Sequence, residues 1–272
     1  MALARLVAIR EQLTSSVVVS HASAALLWGL PTVVLPRRPH LTVPYNPSGG
    51  ARRDVVRHVR DLPDGHATSL LGFTVTTLER TVVDCTMALG PRAGLVIADA
   101  ALRLGADRNG CREILATLGG HRGVVAARAL IDLADDGAES AGESTARFVL
   151  LRAGLPAPQT QVCVVTHLGT FWSDLGWPEW RLLAEYDGRA KYEASGTSST
   201  VVIKEKRRQD AIEETGRRVL RITKEDVERP EHLVARVLRL APSGVAARLR
   251  PRAALMSRAP RSADSREIAP SW

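Results

Sequence analysis

The chain reads as an α+β domain followed by an α/β domain. Three observations predict this. The length of 272 residues, 45% of them hydrophobic, is enough for two ordinary cores. In the first half, short alternating segments give way at Thr77 to helical periodicity. After the acidic, small-residue stretch from Asp135 to Gly142, the pattern restarts in the order α-β-β-β-α-β-α. The expected domains are 1–138 and 139–240, with a disordered basic tail over 241–272.

The elements follow from local signals. Ser20 precedes the apolar run Ala22 to Trp28, and Gly29-Leu30-Pro31 ends it, which predicts a short buried helix. Segments 41–44, 55–60 and 66–76 read as strands, with Asn46 to Gly50 and Leu62 to Gly65 as turns. Leu78, Val82, Val83 and Met87 lie on one helical stripe that Gly90-Pro91 ends, and further helices are expected near 92–104, 108–118 and 123–135. The second domain opens with a helix at about 141–153 and continues with strands near 160–166, 170–177 and 181–187. A charged helix over 203–215 closes at Gly216, 217–223 forms a strand, and Thr223-Lys224-Glu225-Asp226 is a capping box for a last helix to Leu240.

Composition excludes several classes. No apolar run approaches the ~18 residues needed to span a bilayer, and Arg5, Arg10 and Glu11 interrupt the first segment where a signal peptide needs apolar residues. Cys85, Cys111 and Cys163 are odd in number and in no CxxC pattern, so neither a disulfide framework nor a zinc site is expected, and a cytoplasmic location is. The net charge of +8 is uneven: +6 in residues 1–60, −4 in 61–142, +2 in 143–240 and +4 in 241–272. Such charge permits binding to polyanions without demonstrating it.

The stretch Phe171 to Gly188 carries the chemistry. If Pro178 to Arg181 form a four-residue hairpin loop, Trp177 pairs with Leu182, and opposed residue numbers sum to 359. Asp174 then lies opposite Glu185, and Asp187 shares Glu185's face. Opposed carboxylates destabilise a sheet unless a cation lies between them, and oxygen ligands of this kind suit magnesium. The alternative is a solvated edge hairpin matched to nearby arginines. The four lysines, Lys191, Lys204, Lys206 and Lys224, follow immediately downstream. A metal, carboxylates and a lysine are the parts of phosphodiester hydrolysis.

Glu143, three residues after Ser140, either closes a capping box or joins the acids, and the two roles are compatible. Six of the eleven aromatic residues lie between Phe171 and Tyr192, a clustering that packing explains better than base stacking. His21, in the first turn of its helix, reads as a helix-end or packing residue, and Arg80 with Asp84 reads as an ion pair one turn apart.

These residues also resemble a known pattern. Gly142-Glu143-Ser144, Asp174 with Trp177-Pro178-Glu179, Glu185 to Tyr192, Glu205 to Asp210 and Gly216 to Arg221 resemble the actinobacterial domain-of-unknown-function 559 proteins, relatives of very-short-patch-repair endonucleases and of the PD-(D/E)XK fold. Ser20 to Pro31 and Thr77 to Asp84 resemble an AbiEi-type antitoxin region. The resemblance implies a restriction-endonuclease-like domain with a mixed central sheet flanked by helices. It implies Asp174 and Glu185 as magnesium ligands, joined by Asp187 in the reading from spacing, and Glu143 as the acid of the leading helix. It implies DNA as a partner, contacted by Lys191, Lys204, Lys206, Arg207 and Arg208, and a toxin or other protein as a further one.

The chain departs from that pattern twice. Asp187 stands where the nuclease pattern has lysine, so either Lys191 or Lys204 supplies the cation or the site is inactive. The Ser-His-Ala-Ser motif arrives by residue 20, leaving no room for the winged helix that commonly precedes it, unless the start is incomplete. The expectation is a magnesium-dependent DNA endonuclease-like protein tied to a toxin–antitoxin or defence system; the alternative is a non-catalytic AbiEi-like antitoxin or regulator.

Overall fold

The computed structural model describes residues 2–9, 17–45, 54–188 and 199–256. Contacts divide the chain into two units, residues 1–136 with 254–272, and residues 137–253. Each is an α+β arrangement around one mixed sheet.

Unit 1 contains α1 (Ala2–Ile9), β1 (Val18–Val19), α2 (His21–Leu27), β2 (His40–Val43), β3 (Val56–Val59), β4 (Ala67–Leu70) and β5 (Phe73–Thr76). Helices α3 (Leu78–Ala88), α4 (Pro91–Arg103), α5 (Arg108–Ala116) and α6 (Val124–Leu133) follow. The sheet order is β3-β2-β1-β5-β4. Its central strand, β1, runs antiparallel to β2 and parallel to β5, and with two residues it is too short for any periodicity to announce it. Segment 66–76, expected as one strand, is a hairpin. Leu71 and Gly72 both adopt positive φ, +51° and +77°, and turn the chain back on itself. Thr77 caps α3 by accepting Arg80 N–H, and Asp107 caps α5 by accepting the N–H groups of Asn109 and Gly110. At the end of α2, Trp28 Nε1 donates to Thr76 O, tying the helix to β5.

Unit 2 contains α7 (Ala141–Arg152), β6 (Gln159–Thr166), β7 (Gly169–Trp177), β8 (Leu182–Asp187), α8 (Ser199–Glu214), β9 (Arg218–Thr223), α9 (Lys224–Glu228), α10 (Pro230–Leu240) and α11 (Val245–Arg248). The sheet order is β6-β7-β8-β9, antiparallel across the first two ladders and parallel across the last. The helix expected from Thr223 to Leu240 divides at Arg229. Pro230 disfavours helical geometry in the residue before it, and Arg229 sits at φ −120°, ψ 73°. The tail expected to be disordered from Ala241 instead continues as ordered chain to Met256. Arg252 donates to the carbonyls of Leu151 and Leu155, so a cation meets the chain at and just beyond the C-terminal end of α7. Residues 257–272 lie outside those described.

One core of this unit joins α7 and α10 to the sheet through Ala146, Leu150, Leu175, Trp177, Leu182, Ala184 and Leu233. On the opposite face Val162, Val164, Leu183 and Phe171 pack with Ile212 of α8. Among the described residues no helix is long and apolar enough to cross a membrane.

Candidate functional site

The hairpin between β7 and β8 has the register that the loop spacing demands. Trp177 pairs with Leu182, Gly176 with Leu183 and Leu175 with Ala184. Pro178 to Trp180 form a 3₁₀ turn, and Arg181 at φ +50° returns the chain to β8. Beneath the turn Trp177 is buried, stacks on Trp180 at 4.9 Å, and donates its indole N–H to Pro156 O.

The ladder changes at Asp174. Phe171 packs on the α8 face, whereas Leu175 and Trp177 pack on the α7 face. Strict alternation would place these odd-numbered residues on one face, so β7 slips phase between Ser173 and Leu175. Strand β6 yields at the same level. With Thr160 opposite Leu175 and Val162 opposite Ser173, Gln161 falls opposite Asp174, and it adopts φ +48°. The side chain of Asp174 takes over as a backbone partner, its Oδ2 accepting the Tyr186 N–H at 2.7 Å. Asp174 and Glu185 are therefore not a flat opposed pair in the ladder.

They are nevertheless electrostatic neighbours. Burial pushes the Asp174 carboxyl up, the Tyr186 N–H opposes this, and the charges of Glu185 and Glu139 push it up further. Glu143 is raised first by burial and also by the charge of Asp174, so acids from α7, β7 and β8 share one corner of unit 2. Gly142 permits the approach of α7 to β8. A Cβ there would lie 2.0 Å from the Tyr186 ring, a separation that no side chain tolerates.

Each acid already has partners. Glu143 takes part in the Ser140 cap, its carboxylate meeting the Ser140 hydroxyl and the Glu139 N–H in place of the Ser140 N–H of a capping box. Its Oε1 accepts the Ser140 hydroxyl at 2.8 Å, its Oε2 accepts the Glu139 N–H at 2.7 Å, and its own N–H reaches Ser140 Oγ. Glu185 is buried, and both its oxygens accept from Arg208 Nη2, at 2.8 and 2.7 Å. The same guanidinium reaches Glu205 through Nε at 3.2 Å and Nη2 at 3.3 Å, and lies 5.8 Å from the centre of the Phe171 ring. Arg221, in register with Glu185, also donates to Glu205. Burial would raise Glu205, but its bonds to Arg208 and Arg221 outweigh that and hold it below the usual range.

Of the cations expected near the acids, Arg208 is the one that turns inward. Lys204, Lys206 and Arg207 are exposed on α8, Lys224 is exposed at the start of α9, and Lys191 lies outside the described residues. Asp187 is half-buried at the end of β8, beside Thr223. The inward turn was readable from spacing: Glu205, Arg208 and Ile212 are three and four residues apart, one stripe of α8, and Ile212 is buried in the core beneath. Among the aromatics, Trp172 is largely exposed on β7.

Carboxylate oxygens are the hard donors that magnesium selects, so the donor set fits that ion in kind. The arrangement is closed around Arg208, and among the described residues no group of three His, Cys, Asp or Glu side chains stands ready to hold a metal.

Two Mycobacterium tuberculosis proteins, Uncharacterized protein MT2308 of strain CDC 1551 / Oshkosh and Uncharacterized protein Rv2248 of strain ATCC 25618 / H37Rv, are each 36% identical to this chain over 171 residues. The match spans 62% of this chain and 62% of the length of each relative. No family model matches the chain, and no solved structure does.

Proposed function

We propose that the protein is a DNA endonuclease-like protein whose unit 2 is of the restriction-endonuclease, PD-(D/E)XK kind. The observation that supports this best is that Asp174, at the point where β7 changes phase, is an electrostatic neighbour both of Glu143 on α7 and of Glu185 on β8. Asp174 and Glu185 would hold magnesium, which when bound supplies an activated water and neutralises charge building on the phosphate. For Glu185 to serve, Arg208 must leave it, and Glu205 already shares that guanidinium. Exposed Lys204, Lys206 and Arg207 on α8 would meet the DNA backbone. Magnesium-dependent nicking of plasmid DNA by the purified chain, abolished by Asp174→Ala, is the expected result. Nicking unchanged in that variant rejects the site.

The ion pair between Arg208 and Glu185, with Asp187 at the lysine position, favours a second reading. In it the chain is a non-catalytic antitoxin-like regulator that binds DNA or a toxin partner in the cytoplasm. It predicts salt-sensitive DNA binding without cleavage and without dependence on magnesium.

A further inference from the structure

Unit 1 holds a cavity of about 310 Å³ bounded by His21, His58, Arg60, Arg80, Asp84 and Arg122. We propose that it is a binding site for a phosphate ester of about mononucleotide size. The proposal is independent of the acid corner of unit 2.

His21 is not a simple helix-end residue. It opens α2 at φ +51°, in the left-handed region that costs a non-glycine residue about 1 kcal/mol, and Ser20 makes no side-chain cap to the helix. The strain aims the imidazole inward. Its Nδ1 lies 2.9 Å from Ser20 Oγ, which also accepts the Thr42 hydroxyl, and its ring stacks on His58 at 3.5 Å. His58 in turn meets His40 Nδ1 at 3.1 Å. Burial first, then the neighbouring histidines, whose rings cannot all carry a proton side by side, and then Arg60 hold His21 well below the usual histidine range and His58 at about 4. Both rings are therefore neutral at pH 7 and each can offer an N–H to a ligand.

Asp84 supplies the second, independent observation. Its side chain is 4% exposed, and Oδ1 accepts Arg80 Nε at 2.9 Å. Oδ2 is buried without a hydrogen-bond partner among the described residues; His21 Nδ1, at 3.9 Å, is too distant. A buried, unsatisfied carboxylate oxygen is costly and calls for a donor. Three arginines and one carboxylate line the cavity, an excess of positive charge that calls for an anion. Arg80 is committed to Asp84 and His66, so Arg60 and Arg122 carry the excess positive charge.

One ligand chemistry meets both demands. A phosphate accepts from Arg60, Arg122 and the imidazoles, and a sugar hydroxyl on the same molecule donates to Asp84. The volume falls at the lower end of small-molecule sites, and Val59, Met87 and Ala88 give an apolar wall for a base or sugar. A free nucleotide and the phosphorylated end of a DNA strand share this chemistry.

Calorimetric titration of the full chain with adenosine monophosphate, inorganic phosphate and adenosine tests the assignment, and a 5′-phosphorylated oligonucleotide separates the two sources. The monophosphate is expected to saturate at millimolar concentration or below, more tightly than phosphate, with adenosine weakest. Arg122→Ala, at an exposed position that leaves the core intact, should weaken it roughly tenfold, the loss of one charge-assisted hydrogen bond. Asp84→Asn should reduce the preference for the monophosphate over phosphate. Displacement of the monophosphate by the phosphorylated oligonucleotide, but not by the same strand without its 5′-phosphate, assigns the site to strand ends; no displacement by either assigns it to free nucleotides. Absence of saturation by the monophosphate, or affinity unaltered by Arg122→Ala, overturns the proposal.

Discussion

The acid corner of unit 2 and the histidine cavity of unit 1 solve opposite electrostatic problems. In unit 2 three carboxylates gather, and the protein answers them from within: Arg208 lies on Glu185, the Tyr186 N–H on Asp174, and the Ser140 cap on Glu143. In unit 1 cations outnumber the single carboxylate, and Asp84 Oδ2 has no partner among the described residues. A self-satisfied cluster stabilises its fold and must open to meet a ligand. An unsatisfied one is already open and loses stability for it.

The sharpest way to break this contrast is to separate the acids. Gly142→Ala forces a methyl group into the Tyr186 ring and should destabilise unit 2 by about 2 kcal/mol, the scale of an overpacked core. Hydrogen exchange should quicken in β7 and β8 while β1 and β2 are unchanged. Equal protection in both units would mean that the approach of α7 to β8 does not hold the corner together.

A smaller, opposite difference should appear with pH. His58 titrates at about 4 in the folded chain against 6.5 when exposed, so between those values the unfolded chain binds the proton. Unit 1 should therefore lose stability as pH falls from 7 toward 4, and His21, lowered for the same reason, adds to the loss. Asp84, raised by burial, acts in the other direction and offsets part of it. The protection of amides in β1 and β2, measured against the intrinsic exchange rate at each pH, should fall across that window. Protection independent of pH there would show that the imidazoles are solvated.

The hairpin shows where sequence reasoning succeeds and where it stops. The pairing of Trp177 with Leu182 was legible because Pro178 and the loop length leave one register. The extrapolation to Asp174 and Glu185 failed as a flat pair because it assumed unbroken alternation, and the phase slip at Gln161 and Asp174 involves residues that carry no turn signature. Arg208 was grouped with Lys204, Lys206 and Arg207 as a surface for DNA, yet only its spacing from Ile212 sets it apart. The histidine cavity was illegible for a different reason. His21, His40, His58 and Asp84 come from four separate elements, and it is the pairing of β2 with β3 that sets two of them side by side. Ser140 and Thr223, by contrast, announce their caps within four residues, and both caps are present.

The central claim is that Asp174 and Glu185 form a divalent-ion site that Arg208 closes. Calorimetric titration of magnesium into the full chain, into Arg208→Gln and into Arg208→Gln with Asp174→Asn tests it most directly. The account predicts that Arg208→Gln binds magnesium more tightly than the parent chain and that adding Asp174→Asn removes the gain. Equal, weak binding by all three proteins would contradict it.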